Sequence, residues 1–530
     1  MNIDHSILTI ITFIPLAGAI LLAFLPDRGK VMQWAALAVT LVTFIATLHL
    51  PVHYNYSAAS GSFQFEQNIS WIASPAIRYH LGVDGLSMWL VVLTGFLAPL
   101  GVLISWRAID TRKKLFYIQF LLLQVAMFGV FVSLDLFLYY GFWELSLVPM
   151  VVLIAVFGRT ENRRKAALKY FLYTFIPSAI LLVGMLWVYA QTGTFDVPTL
   201  IQLAATHGIS TNSAALWLAS LAFLGAFAVK VPVFPLHGWL SDAVFEAPTA
   251  AVMVLAGKLG LYSILRFSFG IFPEQSRHIA PLLIALGAIG VVYGALIALV
   301  QDDMKRLAAF ATLGHVSLVV LGIFSFTIAG IDGGIYATLN EGIGGAALFI
   351  LLGALYERYS TYNMRELGGL AQKLPWMVTF YVITALSVVG LPMLNGFVGE
   401  FLVLSGSMQS EILHHTGWTV LATTGVILTA SYMLWMIQRI FYGDLGHKST
   451  MKPAADLNLR EHLTLWPLAI LMLAMGVVSP FWMRAIDGAG VVLAQQPVQT
   501  APATTSPSVA ATSASPQTVI ASTLDRTEAR

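Results

Sequence analysis

Cysteine is missing from all 530 residues. Without a thiolate there is no ordinary ligand set for an iron-sulfur cluster, no disulfide and no Cys-based zinc site. Charge is scarce too: Asp, Glu, Lys and Arg make up 10% of the chain against 58% apolar residues, and mean hydropathy is +0.80. A soluble domain of this size could not clothe its surface with so little charge, so lipid is read as the solvent for most of the chain. The net charge of +2 includes no basic block suited to nucleic acid, which sets that class of partner aside. A cleavable leader is not expected either. The first apolar run begins at Ile7, has no cationic stretch before it and is followed directly by further spans, so it reads as a retained first helix.

What is present is a series of apolar runs of about 20 residues, the length that crosses roughly 30 Å of hydrocarbon as a helix. About fourteen are expected, near 7–25, 31–50, 84–105, 114–133, 135–157, 166–190, 214–242, 249–270, 279–300, 304–326, 328–356, 376–406, 418–441 and 462–483. They are too long and too evenly apolar for the alternating strands of a membrane barrel, which makes this an all-α membrane protein. Basic residues are retained on the cytoplasmic side. Nineteen of the 28 Lys and Arg lie in loops after odd-numbered spans, five lie on the other side, and Lys169, Lys230, Lys258 and Arg266 fall within spans. Both termini are therefore expected to face away from the cytoplasm. The end of the chain, 486–530, is rich in Ala, Thr, Ser, Pro and Gln and is expected to be a disordered tail.

Two spans carry helix breakers. The run Lys230-Val-Pro232-Val-Phe-Pro235-Leu-His237 removes two amide donors within four residues, and Gly390-Leu-Pro392-Met-Leu-Asn395-Gly396 leads into Gly399-Glu400. An ordinary proline kink explains either one alone. Two breaks five spans apart, each beside an ionisable residue, predict inverted five-helix repeats over spans four to eight and nine to thirteen, with ion sites at the broken helices. The corresponding divisions are 1–113, 114–270, 271–441, 442–485 and the tail 486–530.

Charged groups at mid-span are costly unless paired or neutralised, and they mark ion pathways. Glu144, Lys230, Lys258, His315, Glu341 and Glu400 form such a row over six helices. Burial lowers the pKa of an amine and raises that of a carboxyl, bringing both toward neutral pH, where protons exchange readily. His237, Asp242 and Glu246 are secondary relay candidates; the first reads equally as a structural histidine, and the other two border a loop, where capping a helix is the alternative. Asp84, Asp332 and Lys169 lie near span ends and read as interfacial. Gly342-Ile-Gly344-Gly345 matches part of a dinucleotide loop only as text, since no strand precedes it, and reads as close helix packing.

With these residues in place the chain resembles a known family, the antiporter-like subunits of respiratory complex I, NADH:quinone oxidoreductase, which are related to Mrp-type sodium/proton antiporters. The resemblance covers most of 1–485 and rests on Gly82-Val-Asp84-Gly-Leu-Ser87, Phe142-Trp143-Glu144, the run from Lys230 to His237 with Glu246-Ala-Pro248-Thr249, and Gly396-Phe-Val-Gly-Glu400. Trp143-Glu144 with Leu147-Val-Pro149-Met150 is most similar to the chain M (chain 4) type. The resemblance implies a subunit of a proton-translocating enzyme in a bacterial-type inner membrane, without a redox centre of its own. NADH, FMN, iron-sulfur clusters and quinone would sit on partner subunits, and the antiporter-like chains L and N would be neighbours. It further implies a gating pair Glu144–Lys230, a central carrier Lys258, a linking His315 and a terminal exchange site Glu400. The family usually has His where Glu341 follows Asn340. Alternatives are an Mrp-type antiporter subunit, a membrane-arm subunit of a hydrogenase-linked complex and, lowest, a non-transporting scaffold, which leaves the buried charges without a purpose.

Overall fold

The computed structural model describes residues 3–27, 30–255, 258–412, 416–451 and 455–495. Arg28, Lys452, Arg526 and Arg530 from the charge tally, and 496–530 of the expected tail, lie outside the described residues. Twelve helices among the described residues are long and apolar enough to cross a membrane, from Ile7–Phe24 to Gly417–Phe441. The pair Leu459–Val477 and Pro480–Ala494 is long and apolar enough only when taken together, and it is bent by 67°. The remaining expected span, 376–406, is two helices of 14 residues, Pro375–Val388 and Asn395–Met408, each too short to cross alone.

Local chemistry fixes where several helices start. Asp135 accepts from the amides of Phe137 and Leu138, Asp303 from those of Lys305 and Arg306, and Thr327 from that of Gly330. Each satisfies donors that the first turn leaves open. Asn458 and Glu461 form a reciprocal capping box, and Glu461 also receives both terminal nitrogens of Arg358 at 2.8 Å.

Both expected breaks are present. Ser213–Lys230 stops at Lys230 and the chain resumes as Leu240–Glu246. With Pro232 in the break, the Val233 amide goes to the Ala228 carbonyl at 2.9 Å, and the Trp239 indole donates to the Val229 carbonyl at 2.9 Å in place of a backbone amide. The second break, between Val388 and Asn395, turns through Gly390 at φ +78°, a left-handed conformation natural to glycine. Asn340 donates to the Asn395 carbonyl at 2.7 Å and Ser387 to the Asn395 side chain at 2.6 Å, so this gap is stitched to a neighbouring helix.

Three features depart from the sequence reading. Gln64–Ile72 and Ile77–Val83 form an antiparallel hairpin, with Gln64 opposite Val83 and Ile72 opposite Ile77, where only a loop was expected. Pro480–Ala494 is helical well past 486, where a tail was expected, because Ala485, Ile486, Ala489, Gly490 and Leu493 recur at helical spacing and are buried. Asp332, read as interfacial, is buried; a Cβ on Gly490 of that last helix would overlap its carboxylate.

Candidate functional site

The row of charges resolves into three groups. Glu144, on Leu136–Phe157, is half-buried and accepts a short hydrogen bond from Ser178 of the next helix, Arg163–Thr192. Lys230 is buried at the first break, where its Nζ donates to Ser146 at 3.2 Å and to the Tyr170 hydroxyl at 3.5 Å and lies 5.1 Å from the centre of the Trp143 ring. Among the described residues no ion pair of 4.0 Å or less joins Glu144 to Lys230, because Ser178 and Ser146 take the two groups separately.

Lys258 begins the helix Lys258–Ser263 and is only 2% exposed. Its Nζ donates to the Met253 carbonyl at 2.9 Å. Its stem runs against Gly342, where an added Cβ would lie 2.8 Å from Lys258 Cε and 2.5 Å from Leu93 Cδ2. The glycine expected to permit close packing thus makes room for the lysine, one residue from Glu341.

Three of the predicted residues converge. His315 of Met304–Ile323 lies with Nδ1 3.1 Å from Glu341 Oε2 of Ile328–Tyr359, and Glu400 of Asn395–Met408 joins them in the wall of a cavity of about 40 Å³. That volume holds at least one water. His315 Nε2 is buried with no hydrogen-bond partner among the described residues. Glu400 reaches the space above Gly390, where a Cβ would overlap its carboxylate. The cavity sits at the second break, beside Ser387, Val388 and Gly396.

The secondary candidates lie apart from this cavity. Asp242 pairs with Lys169 at 2.8 Å and Arg306 at 3.9 Å, with over a third of its side chain exposed. Buried Glu246 accepts from the amides of Arg159 and Thr160 at 2.8 Å, and so shapes that loop. His237 stacks on Phe234 with centroids 5.6 Å apart, and its Nδ1 is partnerless among the described residues.

Sequence reasoning missed three buried groups. Lys305, counted as a loop cation, is 3% exposed and donates to the carbonyls of Phe245 and Ala247 at 3.1 and 2.6 Å. Asp84, read as interfacial, makes a buried two-pronged pair with Arg266. His80, on the second hairpin strand, is held between Asp196 at 2.6 Å and Glu66 at 2.8 Å. The polar run Asp302-Asp303-Met-Lys305-Arg306 hides the first, and no spacing in the sequence signals the other two.

His80 permits a test by pH. Burial alone would lower its pKa, but the Asp196 and Glu66 carboxylates hold it above the ordinary 6.5. A raised pKa gives stability that is full below about pH 6.5 and lost as pH rises through the folded value. Asp196, despite burial, is held below its ordinary 3.8 mainly by His80, so its contribution fades only in acid. The difference in melting temperature between wild type and His80→Gln is expected to be largest near pH 6 and to shrink on the alkaline side. Thermal unfolding in detergent over that range measures it, and a pH-independent difference refutes the assignment.

The family model for NADH:quinone oxidoreductase/Mrp antiporter transmembrane proteins matches residues 133–430. That is more than half of the chain, and it contains both breaks and every titratable group just described except Asp84, His80 and Glu66. This chain belongs to the NADH:quinone oxidoreductase/Mrp antiporter family. Among relatives of this antiporter-family chain, NADH-quinone oxidoreductase subunit M of Rhodobacter capsulatus is 39% identical over 495 residues, covering 89% of this chain and 93% of the relative. A chain of respiratory complex I from Thermus thermophilus superposes with a TM-score of 0.83 at 28% identity, over 92% of this antiporter-family chain and 99% of its own length. A chain of the Mrp complex from a Dietzia species superposes with a TM-score of 0.81 at 21% identity, over 93% and 98%, which shows a shared fold.

Proposed function

We propose that this chain is the chain M type of proton-translocating subunit in the membrane arm of an NADH:quinone oxidoreductase, moving protons while redox chemistry proceeds on other subunits. The observation that carries the proposal is the meeting of His315, Glu341 and Glu400, from three helices, around a water-sized cavity at a helix break, with Lys258 packed beside the same stretch of helix. Such a site binds no substrate skeleton. It holds groups that exchange a proton through one water, and its charge state depends on its neighbours. Glu144 gates the row by acting on Lys230; Lys258 is the carrier; His315 and Glu341 link it to Glu400, the terminal exchange site. Work against the membrane potential, about 2.3 kcal/mol per charge at 100 mV, is supplied by quinone reduction through contacts with neighbouring subunits.

In this reading the two broken helices belong to inverted repeats, the antiporter-like chains L and N are neighbours, and NADH, FMN, iron-sulfur clusters and quinone are held by partners. The membrane is the bacterial-type inner membrane, and both termini face away from the cytoplasm.

The experiment is proton uptake by the whole complex in vesicles. Lys258→Met is expected to lower the number of protons moved per NADH oxidised, and Glu144→Gln to do the same while preserving assembly. Unchanged proton yield in Lys258→Met rules out its role as carrier. Sodium-dependent antiport with no response to NADH would instead establish the Mrp-type reading.

A further inference from the structure

The helix that carries Lys258 continues as a π-helical turn, Ile264–Ser268, a distortion that widens a helix and is frequent at functional positions. Arg266 lies within it. Its two terminal nitrogens donate to the two oxygens of Asp84 at 2.8 and 2.5 Å, and its Nε donates to the Tyr262 hydroxyl at 3.3 Å. Asp84 also accepts from the amides of Leu86 and Ser87 at 3.1 and 3.2 Å. The Arg266 and Asp84 side chains are 7% and 6% exposed. Burying two ions costs several kcal/mol each, and apolar residues of the same size often pack at least as well, so stability alone is a poor reason for this pair.

The pair is buried yet not sealed. It forms one wall of a 270 Å³ cavity whose other walls include Gly61, Ser62 and Gln202, of which Gly61 and Gln202 are exposed and Ser62 half-buried. That space takes several waters. Lys258 and Arg266 are eight residues apart on one helical stretch, about 12 Å along the axis at 1.5 Å per residue, with Tyr262 midway. Beside Tyr262, the Ser263 hydroxyl shares a 2.6 Å hydrogen bond with Tyr139. The Tyr262 and Ser263 hydroxyls, which also donate to the Phe131 carbonyl at 3.2 Å and the Leu259 carbonyl at 2.6 Å, thus lie on the helical stretch that joins the buried lysine to an ion pair bordering a cavity.

We propose that Asp84 is an outlet carboxylate for Lys258, a branch separate from Glu400, and this rests on the proton-transfer reading above. An Nζ–H bond of Lys258 breaks, the proton crosses by water along the Tyr262 and Ser263 hydroxyls, and an O–H bond forms on Asp84. Neutral Asp84 leaves the Arg266 charge uncovered. That charge repels the proton onto a cavity water and opposes its return, after which the carboxylate pairs with Arg266 again. Arg266 gives up no proton, because its guanidinium stays charged, and it acts as a positioning residue.

The test uses the whole complex in vesicles, with protons moved per NADH oxidised as the readout and Lys258→Met as the reference. Asp84→Asn is expected to lose at least half of the yield that Lys258→Met loses, and Asp84→Glu to retain the wild-type yield. Ser62→Trp narrows the cavity while leaving both partners of the ion pair in place and is expected to match Asp84→Asn, whereas a purely structural pair predicts no change. A smaller loss in assembled Asp84→Asn or in Ser62→Trp, with Lys258→Met defective, overturns the outlet alone. If Asp84→Asn does not assemble, Ser62→Trp decides by the same threshold. An unchanged yield in Lys258→Met overturns the carrier and the outlet together.

Discussion

Gly396→Ala is expected to abolish accumulation of the chain in the membrane. Gly396 sits in the first turn after the second break, and a Cβ there would overlap the Ser387 carbonyl oxygen, with the Gly390 backbone 3.4 Å away. Backbone cannot step aside as a side chain can. Ser387 is also held by its bond to Asn395, and Asn395 by Asn340, so relief requires opening the whole stitched turn. Overpacking of this kind costs roughly 3 kcal/mol or more, a large share of the stability of a typical domain. Gly225→Ala is the control: nothing lies within 4 Å of an added Cβ there, and alanine favours the helix Ser213–Lys230. Quantifying the chain in membranes and its melting temperature tests this, and a Gly396→Ala protein as abundant and as stable as Gly225→Ala contradicts it.

Glu341→Gln is expected to leave assembly intact and to remove as much proton yield as Lys258→Met. The amide has the size and shape of the carboxylate, so the packing of Ile328–Tyr359 is preserved. What disappears is the carboxylate facing His315 at 3.1 Å, the one hydrogen-bond partner of that ring among the described residues. Glu341 also adjoins Gly342, against which Lys258 packs, and shares the cavity wall with Glu400, so one substitution disturbs both sides of the cavity. Glu341→His restores a titratable group and is expected to recover part of the yield. Proton uptake at matched NADH oxidation rates measures both variants; a Glu341→Gln complex with the wild-type yield removes Glu341 from the pathway.

The spans were legible because hydrophobic length alone specifies them, and both breaks were legible because proline and glycine act locally. The hairpin was not. Its first strand, Gln64–Ile72, is largely exposed, so no buried stripe marks it. For the site, sequence gives which helices carry charge but not how each helix is rotated. Glu144 and Lys230 looked like natural partners, yet Ser178 and Ser146 take them individually. Asp84 looked interfacial because it precedes the helix Met88–Ala108; a Cβ on its neighbour Gly85 would overlap the Ala485 carbonyl oxygen, so the last helix lies over that turn and hides it from solvent. Lys305 was obscured in the same way, since burial by Phe245 and Ala247 comes from residues about sixty positions away.

The indole of Trp239 that substitutes for a lost amide at Val229 has a mechanical meaning. A gap left with an open carbonyl would swing like a hinge, whereas one bolted across by a bulky ring behaves as a fixed elbow. Displacement of the Lys230 ammonium group away from Ser146 and Tyr170, to both of which it donates, then has to come from rotation about its own four-carbon arm and not from flexing of the main chain. Such swivelling is fast on the scale of domain motion, so the elbow gives the charge freedom to move while the bilayer-spanning frame around it stays still.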